Sequence, residues 1–560
     1  VHTPHPPSPV ACQGIPDQPP PVVIKTRDTR EQQPVARPGV PDPPPPVVSK
    51  KGGEGGRRRE RLVFEGVNER FQACKLESDA NPHRGLSFIP SGKGALPGLG
   101  EPFRGPVEFF ESDQMGGHTT TVHRQRVKAV GALLKEVGYS LPRLLERLGS
   151  PSYKKGSEVN ENFPQEFVDQ MGDALLAEMV GGFRVPLSSK LRGENPIWKE
   201  KRLRRLAAAG AKGIRDPRAR EAFLANVAKG CNRGDLLLVP LEEALKVVGL
   251  QLSTVYMIEE RPGKWRKIQD LSEDIEGLGT SINEATGMED APEISYGQAP
   301  HRFLNDVYNA LITYKGGEIA AAKRDVDGAF NRFHIHPEDA AVMAFMVSPT
   351  VVAFTLRLPM GWTRSPANMA ITTDAIARLA GSRTVESVPE GAQELEEYHE
   401  EAFVNEIPED RMFRGIPDSV NRGLSLEDLV RLQAYVDDLL ALCKRAQVKE
   451  STRLLCWALN QLYRPVDWRE AHYREPAMSV KKLLSEGAWS WVLIALGIGY
   501  DLLRGVVFIP EARRAKLQEL IQTRFAPGTG EASLKNIQKL VGQCRSLAMV
   551  KPQGIYHLSY

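Results

Sequence analysis

The chain is poor in several things that would have narrowed its role at once. Six cysteines (Cys12, Cys74, Cys231, Cys443, Cys456, Cys544) are scattered over 560 residues, with no CxxC pair and no histidine at zinc-ligand spacing. That excludes a disulfide framework and a zinc knuckle, and predicts a reduced intracellular protein of cytoplasm or nucleus, not a secreted one. No apolar run approaches the roughly 18 residues of a membrane span, and no signal-peptide core opens the sequence, so no membrane partner is expected. An excess of one charge is missing too: the formal net charge is +3, which leaves nucleic-acid binding to local basic clusters. Val1 stands where a methionine would begin a complete product, which leaves open an interior piece of a larger one.

What is present divides the chain by texture. Fifteen of the 42 prolines fall in the first fifty residues, in runs such as DPPPPVV, and SKKGGEGGRRRER follows. Such a segment cannot bury enough apolar surface to offset its ordering entropy, so residues 1–60 are expected to form a disordered, partly polyproline-II arm. Its Arg57, Arg58, Arg59 and Arg61 are candidates for gripping phosphate, against the plainer reading of a solvated tail. Residues 61–230 are expected to be mainly helical, with apolar positions recurring every three or four residues in VKAVGALLKEVGYSLPRLLERLG and FPQEFVDQMGDALLAEMVGGF. In WKEKRLRRLAAAG, Lys199, Lys201, Arg202, Arg204 and Arg205 read as a helical surface that is either solvated or laid along a nucleic-acid backbone.

From 235 onward, short β-rich runs alternate with helical segments at 366–380 and 446–463. Two final helices are joined by APGTGE, with Ser533 as N-cap of the second. A chain of this length needs more than one packing unit. The mixed order predicts an α+β domain with helices on one face of an antiparallel sheet.

The chemistry concentrates in LQAYVDDLLALC. Leu432–Val436 and Leu439–Leu442 read as a hairpin with Asp437 and Asp438 at or beside its turn. A turn accounts for one aspartate. Two adjacent like charges between buried strands ask for a cation, and magnesium is bound by one or two carboxylates plus substrate phosphates. A further carboxylate is offered by Asp325 at the end of the IAAAKRD strand, with Asp327 on the same face if the strand persists. The two segments lie far apart in sequence, so only the fold can bring them together.

At this point the sequence resembles reverse transcriptases of the retroviral and LTR or DIRS-like retrotransposon type. DVDGAF is similar to their first palm motif, LPMGWTRSPANM to the second and YVDD to the third; PGKWRKIQDLS followed by GTSIN resembles fingers strands, and LGIGYD a primer grip. The resemblance covers about 235–560. It implies a right-hand polymerase, with fingers and palm in 235–505 and thumb or connection helices in 506–560. It further implies an RNA or DNA template-primer and deoxynucleoside triphosphates as partners, and two Mg²⁺ ions, with Mn²⁺ as a substitute, on Asp325, Asp437, Asp438 and the Val326 carbonyl.

By the same resemblance Phe330 is a steric gate against a ribose hydroxyl, and Arg266, with Lys264 beside it, contacts the triphosphate. Met360, Gly361 and Tyr435 border the nucleotide. Lys481 or Lys482 protonates departing pyrophosphate. Met360 departs from the glutamine usual in retroviruses, and the acidic segment between Gly361 and Tyr435 is longer than the family pattern, which reads as a surface insertion. Ser365 and Pro366 read as N-cap and first residue of the second-motif helix, with Gly381 as its terminator. His334 and His336 read as structural. No Asp-Thr/Ser-Gly protease signature and no zinc-binding integrase pattern is found, and RNase H activity is expected from another piece. The other class of reading is a catalytically silent remnant that still binds nucleic acid.

Overall fold

Apolar runs set several strands of the second half, and those at 319–325, 344–348 and 438–444 are buried along nearly their whole length. The computed structural model describes residues 121–149, 158–186, 196–209, 214, 216–275, 278–287, 291–292, 298–384, 430–464, 477–479, 482, 487–525 and 532–550. The chain divides into two units, Val1–Glu65 and Gly66–Tyr560, and every described residue falls in the second. The proline-rich arm, the acidic 385–429 segment and Lys481 lie outside the described residues.

Helices α1 (Thr121–Glu136), α2 (Leu141–Arg147), α3 (Gln165–Gly181), α4 (Pro196–Ala209) and α5 (Pro217–Asn232) come first. A five-stranded sheet has the order β1-β6-β5-β2-β3: β1 Leu236–Pro240, β2 Leu252–Arg261, β3 Lys264–Asp270, β5 Ala344–Ser348 and β6 Val351–Thr355. Its β2 and β5 run parallel and its other pairings are antiparallel. One face (Leu238, Val255, Phe345) packs against Phe223 and Val227 of α5, and the other (Val239, Leu252, Phe354) joins the largest core.

The second sheet, β4-β8-β7, comprises Ile319–Asp325, Asp438–Lys444 and Arg431–Tyr435. Ala320, Ala322, Leu439 and Ala441 enter the largest core; their neighbours Ala321, Leu440 and Leu442 enter another, with Phe303 and Val307 of α6 (Ala299–Thr313). Period-2 alternation thus buries both faces, and the strand reads as a continuous apolar run. Helices α7 (Arg364–Gly381) and α8 (Val448–Leu462) pack beside it. A third sheet, β11-β10-β9 (Val506–Phe508, Ile498–Asp501, Val492–Ala495), leads into α9 (Glu511–Arg524) and α10 (Leu534–Leu547), the latter capped by Ser533, whose hydroxyl accepts from the Asn536 N–H.

Among the described residues, three sheets with one parallel pair stand where a single antiparallel sheet was expected. Two local expectations also change. Helix α7 starts at Arg364, and the Ser365 hydroxyl donates to the Pro359 carbonyl at 2.9 Å, so Ser365 is a first-turn residue tied to the preceding loop and not the N-cap. On α4, Arg202 is buried and donates to Gln251, and Arg204 pairs with Glu200 and Glu242, so the helix does not offer a continuous basic face. Helices α1–α4 contribute Leu134, Leu145, Phe167 and Leu203 to the same core as β4, β8 and α8. No described helix is long and apolar enough to cross a membrane.

Candidate active site

The register of one strand pair decides the site. Strand β4 ends at Asp325, whose cross-strand partner on β8 is Asp438, and Tyr435 of β7 faces Asp438 from the other side. Residues Val436 and Asp437 form the two-residue turn between β7 and β8, and the Val326 N–H donates to the Asp437 carbonyl at 3.2 Å. The three acids of the sequence reading therefore meet at one end of the sheet. The chain stays extended for one step beyond β4, where Val326 bridges Met478, with the Asp327 N–H donating to the Ala477 carbonyl and the Ser479 N–H to the Asp325 carbonyl; the turn begins at Asp327.

Val436 has φ of +57°. Only the first residue of the turn is left-handed, the pattern of a II′-type hairpin, where glycine is the usual occupant. A β-branched residue there costs on the order of 1–3 kcal/mol and persists because the strands on either side fix it. The strain sits between the tyrosine and the first aspartate, and so fixes how Asp437 is presented.

Electrostatically the site has surplus negative charge. Asp325 is 9% exposed, and burial raises its carboxyl to about 6, with Asp437 and Asp438 adding to the rise and Lys482 opposing it. Burial also raises Asp438 against the pull of Lys323. Lys482 Nζ stands 2.5 Å from Asp325 Oδ1, and Lys323 Nζ 3.0 Å from Asp438 Oδ2. Burial works against the Lys482 ammonium, yet its hydrogen bond and charge attraction to Asp325 leave it raised. Among the described residues no three His, Cys, Asp or Glu side chains form a ready cage for an ion; two lysines hold the acids instead. Hard carboxylate oxygens to which cations are already drawn suit magnesium.

Lys323 was missed by the sequence reading although its signal was there: it lies two residues before Asp325 and shares its strand face. The intervening Arg324 points into the core, over the Trp489 ring at 5.1 Å. Nothing local announced Glu158, which lies 3.1 Å from Arg357 and 4.0 Å from Arg332. Arg332 in turn donates to the Asp327 carbonyl at 2.8 Å, so a residue ahead of α3 braces the loop that follows Asp325.

Of the remaining predicted residues, Lys264, Arg266 and Met360 line a neighbouring cleft. Arg266 and Lys264 of β3 pair with Glu260 at 2.7 and 3.1 Å, and Met360, 41% exposed, lines the cleft with them. Gly361 has φ of +118°, and a Cβ there would lie 1.9 Å from the Gln269 carbonyl oxygen, so the close approach of this loop to β3 requires glycine. Phe330 is partly buried against the main core. His334 is buried and bridges Arg357, while His336 contacts Arg184, which fits their structural reading.

No protein-family model matches the sequence, and no curated protein matches it. Solved structures to which the chain is similar include a foamy viral protease-reverse transcriptase dRH in complex with double-stranded DNA, at 14% identity and a TM-score of 0.35, covering 61% of this chain and 44% of that one. Another is a foamy viral protease-reverse transcriptase in complex with an RNA/DNA hybrid, at 14% identity and a TM-score of 0.33, covering 63% of this chain and 36% of that one. The chain spans less than half the length of these proteins.

Proposed function

We propose that the chain is an RNA-directed DNA polymerase of a retrotransposon, adding deoxynucleotides to a template-bound primer. The observation that carries this reading is the meeting of Asp325 with Asp437 and Asp438 at the end of a doubly buried sheet. The order of the DVDGAF, LPMGW and YVDD motifs supports it. Asp325 and Asp437 would hold magnesium, with Asp438 and the Val326 carbonyl assisting. The metal, when bound, neutralises charge on the attacking 3′-oxygen and the leaving diphosphate.

The chain's own residues then position and screen. Lys323 keeps Asp438 oriented, and Lys482, beside Asp325, is within reach of a departing diphosphate and can give it a proton. Lys481 was the other candidate for that role. Arg266 has the planar fork suited to phosphate, with Lys264 as a point charge beside it. Phe330 would exclude a 2′-hydroxyl by bulk. Tyr435, Met360 and Gly361 would border the incoming nucleotide.

The test is primer extension on an RNA template with Mg²⁺ or Mn²⁺, offering deoxy- and ribonucleotides in parallel. Asp437→Asn should lower deoxynucleotide incorporation by about 10³ or more, the loss of several kcal/mol of charge stabilisation; a variant that copies as well as the parent refutes the site. Phe330→Ala should raise ribonucleotide use roughly tenfold, about 1.4 kcal/mol of lost discrimination. An unchanged sugar preference removes the gate.

A further inference from the structure

Residues 158–160 belong to the N-terminal helical region, yet their partners lie far along the chain. The Arg464 N–H donates to the Glu158 carbonyl at 3.0 Å, Val159 bridges Tyr463, and the Asn160 N–H donates to the Leu462 carbonyl at 2.9 Å. The Asn160 side-chain amide donates to the Asn460 and Gln461 carbonyls at 2.7 and 2.8 Å. Carbonyls of a last helical turn have no partner within the helix, so this strap is anchored as a cap on the end of α8.

Anchored in this way, Glu158 is buried between two buried arginines that hold the two ends of one segment. Arg332 closes the 3-10 helix Ala329–Arg332, stacks over the Tyr463 ring at 5.4 Å and donates through Nε to the Asp327 carbonyl. Arg357 bridges His334 through the backbone, and the Leu358 N–H beside it donates to the Phe333 carbonyl at 3.0 Å. Phe330 lies within that segment. A four-residue 3-10 helix has few and poorly aligned hydrogen bonds of its own, so the place of the Phe330 ring depends on what holds Arg332 and Arg357.

We propose that Glu158 is a positioning residue for sugar selection: through Arg332 and Arg357 it sets how far the Phe330 ring reaches toward the incoming nucleotide. The inference rests on the polymerase reading, and it gives residues 158–160 a part in the reaction that the palm motifs do not contain. Charge-assisted hydrogen bonds from arginine fix direction as well as distance. A displacement of about an ångström in a discriminating group is enough to change a rate ratio.

The test is primer extension by the full chain on an RNA template with Mg²⁺, comparing kcat/KM for a deoxynucleotide and the matching ribonucleotide. Glu158→Gln should lower the preference for the deoxynucleotide about threefold, less than the roughly tenfold of Phe330→Ala. In the Phe330→Ala background it should lower the preference no further, because the ring through which it acts is gone. Arg332→Lys keeps a cation beside Glu158 but loses the Nε–H on the Asp327 carbonyl; it should act as Glu158→Gln does, and it decides the matter if the glutamine variant does not fold. Asn160→Ala removes the side-chain cap of α8 without touching either arginine, and should lower stability while keeping the parent's preference. An unchanged preference in Arg332→Lys, an equal fall in Asn160→Ala, or a further fall in the double variant overturns the inference. A parent that copies RNA while its variants fail in one of these ways leaves the polymerase reading standing; a parent that extends no primer refutes that reading and this inference with it.

Discussion

Two buried clusters of charge, joined through the short loop from Asp325 to Arg332, are built on opposite terms. Around Glu158 the charges balance: Arg357 and Arg332 flank the acid, and Asp235 gives Arg357 a second partner. Around Asp325 they do not, since three carboxylates crowd the turn and the two lysines beside them are 39% and 21% exposed in their side chains. A balanced buried network can serve as a brace, whereas a cluster with surplus charge stores repulsion that a bound cation relieves. The contrast separates a structural use of ionisable groups from a binding use within one fold.

The largest effect that would test the contrast is at the brace. Glu158→Gln removes the acid shared by two buried arginines, of which Arg357 keeps Asp235, and should cost about 3 kcal/mol in denaturant unfolding; a loss under about 1 kcal/mol would show that the network is not a brace.

The acid cluster should respond with the opposite sign. The folded-state carboxyl of Asp325 is raised to about 6 from an ordinary 3.8, so the folded chain binds that proton more tightly than the unfolded chain. Its contribution is fully present below pH 4 and is lost as pH rises through 6. In the metal-free chain Asp325→Asn should therefore be more stable than the parent above pH 6, by about 2 kcal/mol, with the gap closing below pH 4. Equal stability at pH 7 and pH 3.5 would contradict the surplus-charge description.

The smallest effect is at the turn. Val436→Gly removes left-handed strain but adds backbone entropy to the unfolded chain, for a net gain under about 1 kcal/mol. A clear destabilisation would mean that the valine side chain matters more to packing than its φ does to strain.

Much of this was legible in the chain itself. The YVDD hairpin, the strand ending at Asp325 and the helix capped by Ser533 follow from apolar runs, turn chemistry and capping, which act within a few residues. The errors also have a local cause. Ser365 has the chemistry of an N-cap, but the Pro359 carbonyl takes its hydroxyl and the helix begins two residues earlier, at Arg364 after Thr363. Arg202 and Arg204 belong to a basic run, but Gln251 and Glu242, both distant in sequence, draw them into pairs.

The sequence by itself determined which acids were available and that two of them sit at a tight turn, because strand period and turn preference depend on neighbours along the chain. Only the tertiary structure decided that Asp325 pairs with Asp438 and that Glu158 braces the loop after Asp325. Those outcomes depend on strand register and on burial between segments far apart in sequence, where desolvation sets which charges can be left unpaired, and no local pattern encodes that.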